Sequence, residues 1–160
     1  MASEPGGAPA AGAPIPPPVL VAAAILGGFA LRRFVAFPNL PIPVLAARIG
    51  GAVLIAASAA LALAAIGALV RSGTTPFPHQ RSKALVVDGV YRISRNPIYL
   101  AMAVLVAGVA VAARSGWHLV MLVLVVAVFD RTQIPREERY LESRFGDSYR
   151  LYARRVRRWF

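Results

Sequence analysis

With 160 residues, 58% of them hydrophobic, and a mean hydropathy of +0.60, the chain is too apolar for an ordinary water-soluble domain and is expected to be a membrane protein of one domain. Lys and Arg outnumber Asp and Glu by 18 to 7, but they gather in the polar segments without any RNA- or DNA-binding motif, which points to anionic lipid headgroups rather than nucleic acid. The absence of cysteine excludes disulfide and thiolate chemistry, and His79 and His118, expected in different loops, lack the neighbours that a protein-held metal would need.

Residues 1–18, MASEPGGAPAAGAPIPPP, offer almost no large apolar side chain to bury and are expected to form a disordered tail ahead of one membrane domain over 19–160. The apolar run from Val19 ends at Arg32-Arg33 and is short for a span, but it can cross if residues 15–37 are counted and the arginines snorkel to the interface. The prolines of FPNLPIP then break the helix. Residues 49–70, with Ser58 as the sole polar side chain, predict a second span.

The long polar connection that follows carries Leu85, Val86, Val87 and Tyr91, which argue for an ordered segment. Ile98–Ala113 and Trp117–Phe129, joined by the short turn RSG, read as a membrane hairpin with Trp117 in the aromatic belt. The fold class expected is therefore all-α: a polytopic membrane helical bundle of about four transmembrane helices with a helical hairpin and a cytoplasmic C-terminal helix. The positive-inside rule puts the connection from Arg71 to Arg95 and the tail after Asp130 on the cytoplasmic side, with Arg32-Arg33 and Arg114 outside.

Two polar segments are thereby brought to one membrane face. In SRNPIYL, Asn96 is expected to cap a helix whose first position is Pro97. A helix start flanked by Arg92 and Arg95 suits a carboxylate or phosphate, although lipid-headgroup contacts for the arginines and an interfacial belt for Tyr91 and Tyr99 explain the same residues. In PREERYLESRFGDSYRLYARRVRRWF, Pro135 is expected to open a helix with Glu137 and Glu138 in its first turn, where they favour the dipole or hold a cation. Tyr140, Phe145, Tyr149 and Tyr152 offer faces for a planar ring, and Arg154, Arg155, Arg157 and Arg158 read as a juxtamembrane lipid anchor.

LVVDGVYRISRNPIYL followed by EERYLESRFGDSYRLYARRVRRW resembles the integral-membrane methyltransferases of the isoprenylcysteine carboxyl methyltransferase and phospholipid methyltransferase superfamily. That family has the core G-x-Y-x-x-x-R-[HN]-P-x-Y, a membrane hairpin, a Glu-Glu pair and an F-G-x-x-Y-x-x-Y tail, and the likeness covers about residues 85–159. Many eukaryotic members have His where this chain has Asn96, and the family's closing proline is replaced by Phe160.

The resemblance implies methyl transfer from S-adenosylmethionine, with Tyr91, Arg95, Asn96, Pro97, Tyr99, Leu100, Glu137 and Glu138 as cofactor-binding residues and Arg95 and Glu138 as the catalytic ones, and without a metal. The acceptor it implies is a lipophilic or small molecule: an isoprenylcysteine-type carboxylate, a lipid amine or a thiol. The setting expected is a plasma or inner membrane with anionic headgroups and both termini cytoplasmic. An NADPH-dependent membrane reductase of the sterol type and a non-catalytic membrane protein are the alternatives.

Overall fold

A computed structural model describes residues 15–36, 38–74 and 84–160. Most of the expected tail, and His79, fall outside the described residues. Helix α1 covers Pro17–Phe34, α2 Val44–Arg71, α3 Pro97–Ala112 and α4 Gly116–Val128. A five-residue π turn, Phe129–Gln133, joins α4 to α5 at Ile134–Phe145, and α6 spans Asp147–Arg155. A single 3-10 turn, Gly89–Arg92, precedes α3.

Pro17 and Pro18, assigned to the tail from sequence, are instead the first residues of α1. Proline fits there because an N–H in the first helical turn has no intrahelical acceptor. Helix α2 likewise begins at Val44 rather than Ile49: Arg48 is exposed and does not interrupt it, since a long arginine can reach past the apolar face to water.

Helices α1 and α2 and the continuous run Gly116–Phe145 are long and apolar enough to cross a bilayer. The fourth, α3, has 16 residues and packs along α2 on one side and α4 on the other, while α1 lies against α4 and α3. Apolar side chains such as Leu26, Leu45, Val53, Leu63 and Val123 are left on the outside, where lipid rather than water suits them. The protein is an all-α, polytopic, integral-membrane bundle.

Small residues bring α2 and α3 together. A Cβ on Gly51 would stand 2.7 Å from the backbone of Ala112, so any larger residue there must push the helices apart. Further along the seam, the buried Ser58 hydroxyl donates to the Ala101 carbonyl at 2.7 Å. Val21, Ala24, Val106, Val125, Phe129 and Ile134 form the main core between α1, α3 and α4. His118 lies inside α4 and not in a loop: it is fully buried, edge-on to Phe29 at 4.5 Å, where the tight α1–α4 contact leaves room for a flat ring.

The bundle has two distinct ends. At one, Arg32 donates to the Ala113 carbonyl, the Leu40 amide to that of Arg114 at 2.9 Å, and Trp117 Nε1 to that of Val35 at 2.9 Å. Here the α1–α2 connection meets the hairpin turn. The other end gathers the end of α2, the segment 84–96, the π turn and everything after it. The two polar segments of the sequence therefore do meet at one end.

Candidate functional site

At that end a pocket is lined by Tyr91, Arg95, Asn96, Glu137, Glu138, Tyr149 and Tyr152 on its polar side. Leu69, Leu85, Val86, Ile98 and Leu141 form the apolar side. Its enclosed volume of about 90 Å³ is below the ~300–1,000 Å³ of sites that bury a whole drug-sized ligand. The described walls alone are too small to enclose a whole ligand of that size. Thr74 and Ala84, which both line the pocket, flank a stretch that lies outside the described residues.

The floor is the start of α3. Asn96 stands at the N-cap position, but its side chain makes no cap hydrogen bond, contrary to the sequence expectation. Its Nδ2 donates instead to the Arg158 carbonyl at 3.1 Å, to which the Ser94 hydroxyl also donates at 3.1 Å. The Arg95 amide donates to the Arg157 carbonyl at 3.0 Å. The Asn96 side chain is thus tied to the C-terminal segment, and α3 starts without a side-chain cap.

Arg95 forms the back wall. Its Nη2 lies 3.2 Å from Glu138 Oε1 and its Nη1 donates to the Tyr149 hydroxyl at 3.3 Å, while its Nε is buried with no hydrogen-bond partner. Burial, reinforced by the charge of Glu138, pushes the Tyr149 hydroxyl up to about 12, so it stays a neutral phenol. Burial raises Tyr152 as well, and its hydroxyl donates to the Tyr91 carbonyl at 2.7 Å. That bond fixes α6 across the 3-10 turn.

Glu137 and Glu138 arrive differently from the sequence expectation. They do not open a new helix, because α4 runs into α5 through the π turn. Pro135 cannot donate to the carbonyl four residues back, and the widened turn just before it absorbs the mismatch. The pair therefore sits within a long helix, where the amides of a free first turn are not available to favour negative charge.

The two carboxylates have unlike surroundings. Glu138 accepts both arms of the Arg158 guanidinium, Nη2 to Oε2 at 2.7 Å and Nε to Oε1 at 3.2 Å, in addition to Arg95. Glu137 lies close enough to the Tyr99 hydroxyl for the two to interact electrostatically. Tyr99 itself stands edge-on to Phe129 at 4.9 Å.

Of the eight residues that the resemblance implies for the cofactor, five thus line the pocket: Tyr91, Arg95, Asn96, Glu137 and Glu138. Pro97 is fully buried behind the floor, Tyr99 supports Glu137 from behind, and Leu100 lies one turn into α3, its amide donating to the Asn96 carbonyl. Tyr149 and Tyr152 line the wall; Tyr140 and Phe145 are not among the lining residues.

Arg158 corrects the lipid-anchor reading. Its Nη1 donates to Asp130 at 2.9 Å, and Trp159 Nε1 donates to the same carboxylate oxygen at 3.2 Å. An arginine offered two carboxylates at bonding distance is drawn inward, whereas Arg154, Arg155 and Arg157 remain exposed. Asp130, an acid directly after an apolar run, was the sequence signal for this inward partner.

The family model described as phospholipid methyltransferase matches residues 46–148, which take in all but the first two residues of α2, all of α3 and α4, and both acidic residues of the pocket. The chain belongs to the phospholipid methyltransferase family. Its similarity to curated proteins is partial. Protein-S-isoprenylcysteine O-methyltransferase from Schizosaccharomyces pombe is 34% identical over 95 residues, 56% of this chain and 40% of that protein. Protein-S-isoprenylcysteine O-methyltransferase B of Arabidopsis thaliana is 38% identical over 72 residues, 45% of this chain and 36% of its own length. An uncharacterized Haemophilus influenzae protein is 54% identical over 37 residues, 23% of this chain and 59% of that protein. The chain therefore spans less than two thirds of the length of each of these relatives.

Proposed function

We propose that this family member is an integral-membrane methyltransferase that takes its methyl group from S-adenosylmethionine. The observation that carries the reading is the convergence of Tyr91, Arg95, Asn96, Glu137 and Glu138 on one pocket at one end of the bundle. The pocket also suits the charges of that cofactor. An uncapped helix start and the unpartnered Nε of Arg95 favour a carboxylate, and Glu137 favours an ammonium or sulfonium.

Glu137 is the better counter-ion of the acidic pair. Glu138 already meets two guanidinium groups, and another cation would have to compete with both. In this reading Glu138 orients Arg95 and Glu137 faces the ligand, with the Tyr99 hydroxyl close by. The cofactor, when bound, supplies an electrophilic methyl group on sulfur. The protein's own part is to align donor and acceptor and keep water out, which is the larger part of catalysis for such a displacement.

The aliphatic side of the pocket suits an acceptor that is lipophilic near its reacting atom. The family name directs attention to phospholipid amines, and the names of two relatives to isoprenylated cysteine carboxylates. A carboxylate acceptor needs no base, whereas an amine or thiol would lose a proton, for which the Glu137 carboxylate is placed. Residues 71–96 and 130–160 hold most of the Lys and Arg, which favours a cytoplasmic site at the inner or plasma membrane, with exposed Arg154, Arg155 and Arg157 against anionic headgroups.

The test is calorimetric titration of detergent-purified protein with S-adenosylhomocysteine and, separately, NADPH. Methyl transfer from labelled S-adenosylmethionine to a farnesylcysteine analogue and to phosphatidylethanolamine follows. Binding of S-adenosylhomocysteine alone is expected, and binding of NADPH alone would refute the reading.

A further inference from the structure

Arg158 touches the pocket's supports from three directions. Its carbonyl receives Ser94 and Asn96 from the turn before α3, its guanidinium grips Glu138 on α5, and the same guanidinium holds Asp130 in the π turn. Next to it, the Arg157 carbonyl receives the Arg95 amide and Trp159 adds a second bond to Asp130. Residues 156–160 form a non-helical strap that joins the two halves of the polar wall, which come from distant parts of the chain.

The geometry around Glu138 gives this strap a chemical consequence. Oε2 is held by Arg158 at 2.7 Å, while Arg95 reaches only Oε1, at 3.2 Å and shared with Arg158 Nε. Arg158 thus takes the larger share of the carboxylate and leaves Arg95 loosely paired, with Nε free. Were Arg158 absent, Glu138 would have Arg95 as its one remaining guanidinium among the described residues, and the two would close on each other. Arg95 would then be withdrawn from any anionic ligand.

We propose that Arg158 is a positioning residue: by occupying Glu138 from the strap, it keeps Arg95 available to the carboxylate of the ligand. The proposal rests on the donor assignment above for the identity of that ligand. Arg158 itself does not line the pocket.

The test compares wild type, Arg158→Gln and Arg158→Lys as full chains in detergent. Two readouts are taken: hydrogen exchange at the Arg95 amide, which donates to the strap, and the Kd for S-adenosylhomocysteine. Arg158→Gln is expected to speed exchange at Arg95 and raise Kd by about tenfold or more, as loss of a forked ion pair should. Arg158→Lys keeps the charge without the fork and should fall between. Exchange in the α2–α3 seam should not change.

Faster exchange with an unchanged Kd would overturn the proposal, leaving the strap a merely structural tie, and so would the absence of change in both readouts. If Arg158→Gln loosens the whole bundle, the lysine variant decides: a wild-type Kd overturns the proposal and an intermediate one supports it. Should wild type fail to bind S-adenosylhomocysteine, the donor assignment falls. The positioning role falls with it, and exchange at the Arg95 amide then reports only whether the strap is a structural tie.

Discussion

Replacing Arg95 by Gln separates its two roles. The side chain is 16% exposed and makes an ion pair with Glu138 at 3.2 Å and a long bond to Tyr149 at 3.3 Å. Losing both leaves no orphaned charge behind, because Glu138 keeps its two bonds from Arg158. The cost to the fold should therefore be about 1 kcal/mol, well short of the 3–5 kcal/mol of a buried pair broken outright. The ligand has no such substitute. A charge-assisted hydrogen bond to its carboxylate is worth about 2 kcal/mol, which corresponds to a Kd roughly 30-fold higher. Calorimetric titration with S-adenosylhomocysteine, paired with thermal unfolding in the same detergent, measures the two quantities side by side. A Kd within about threefold of wild type, under 1 kcal/mol, in a folded protein would refute the assignment of Arg95 to the ligand.

The remaining predictions address other parts of the site and bundle. Glu137→Gln keeps a polar oxygen near the Tyr99 hydroxyl but removes the negative charge, so unfolding should be unchanged while S-adenosylhomocysteine, whose ammonium it would meet, binds at least about tenfold more weakly. Asn96→Asp would be benign if Asn96 capped α3; because its Nδ2 donates to the Arg158 carbonyl, a carboxylate should repel that oxygen and cost about 1–2 kcal/mol, more than Asn96→Ser, in chemical denaturation. Gly51→Ala should cost about 1–3 kcal/mol by overpacking the seam at Ala112, whereas Gly50→Ala, whose nearest contact would be Val111 at 3.7 Å, should unfold like wild type.

The bundle was readable in the sequence because membrane spans are written in a coarse code of apolar length and flanking charge. The runs after Ile49, Ile98 and Trp117 each became a helix within a few residues of expectation. That the two polar motifs would meet at one end was readable too, and Arg95, Asn96, Glu137 and Glu138 do line one pocket there. What sequence could not show was partner choice. Asn96 looked like a cap because Asn before Pro usually is one, but the Arg158 carbonyl, 62 positions away, claimed its amide. Arg158 looked like one basic residue among four, and only its nearness to Asp130 and Glu138 distinguishes it. Pairings across such separations depend on tertiary geometry, which neither spacing nor composition encodes.

The π turn at Phe129–Gln133 also bears on how such a chain tolerates length changes. An α-helix advances about 100° per residue, so one residue gained or lost rotates everything downstream by that angle. Before the turn, α4 faces hydrocarbon and the core; beyond it, the same rod presents Glu137 and Glu138 to the pocket. The wide turn sets the phase between the two. Deleting a single residue there, chosen to restore regular α geometry, would leave the composition of the span nearly intact and swing both carboxylates away from Arg95. Two chains alike in hydropathy could thus differ completely in the site they build, because one of them has its helix turned by a quarter revolution.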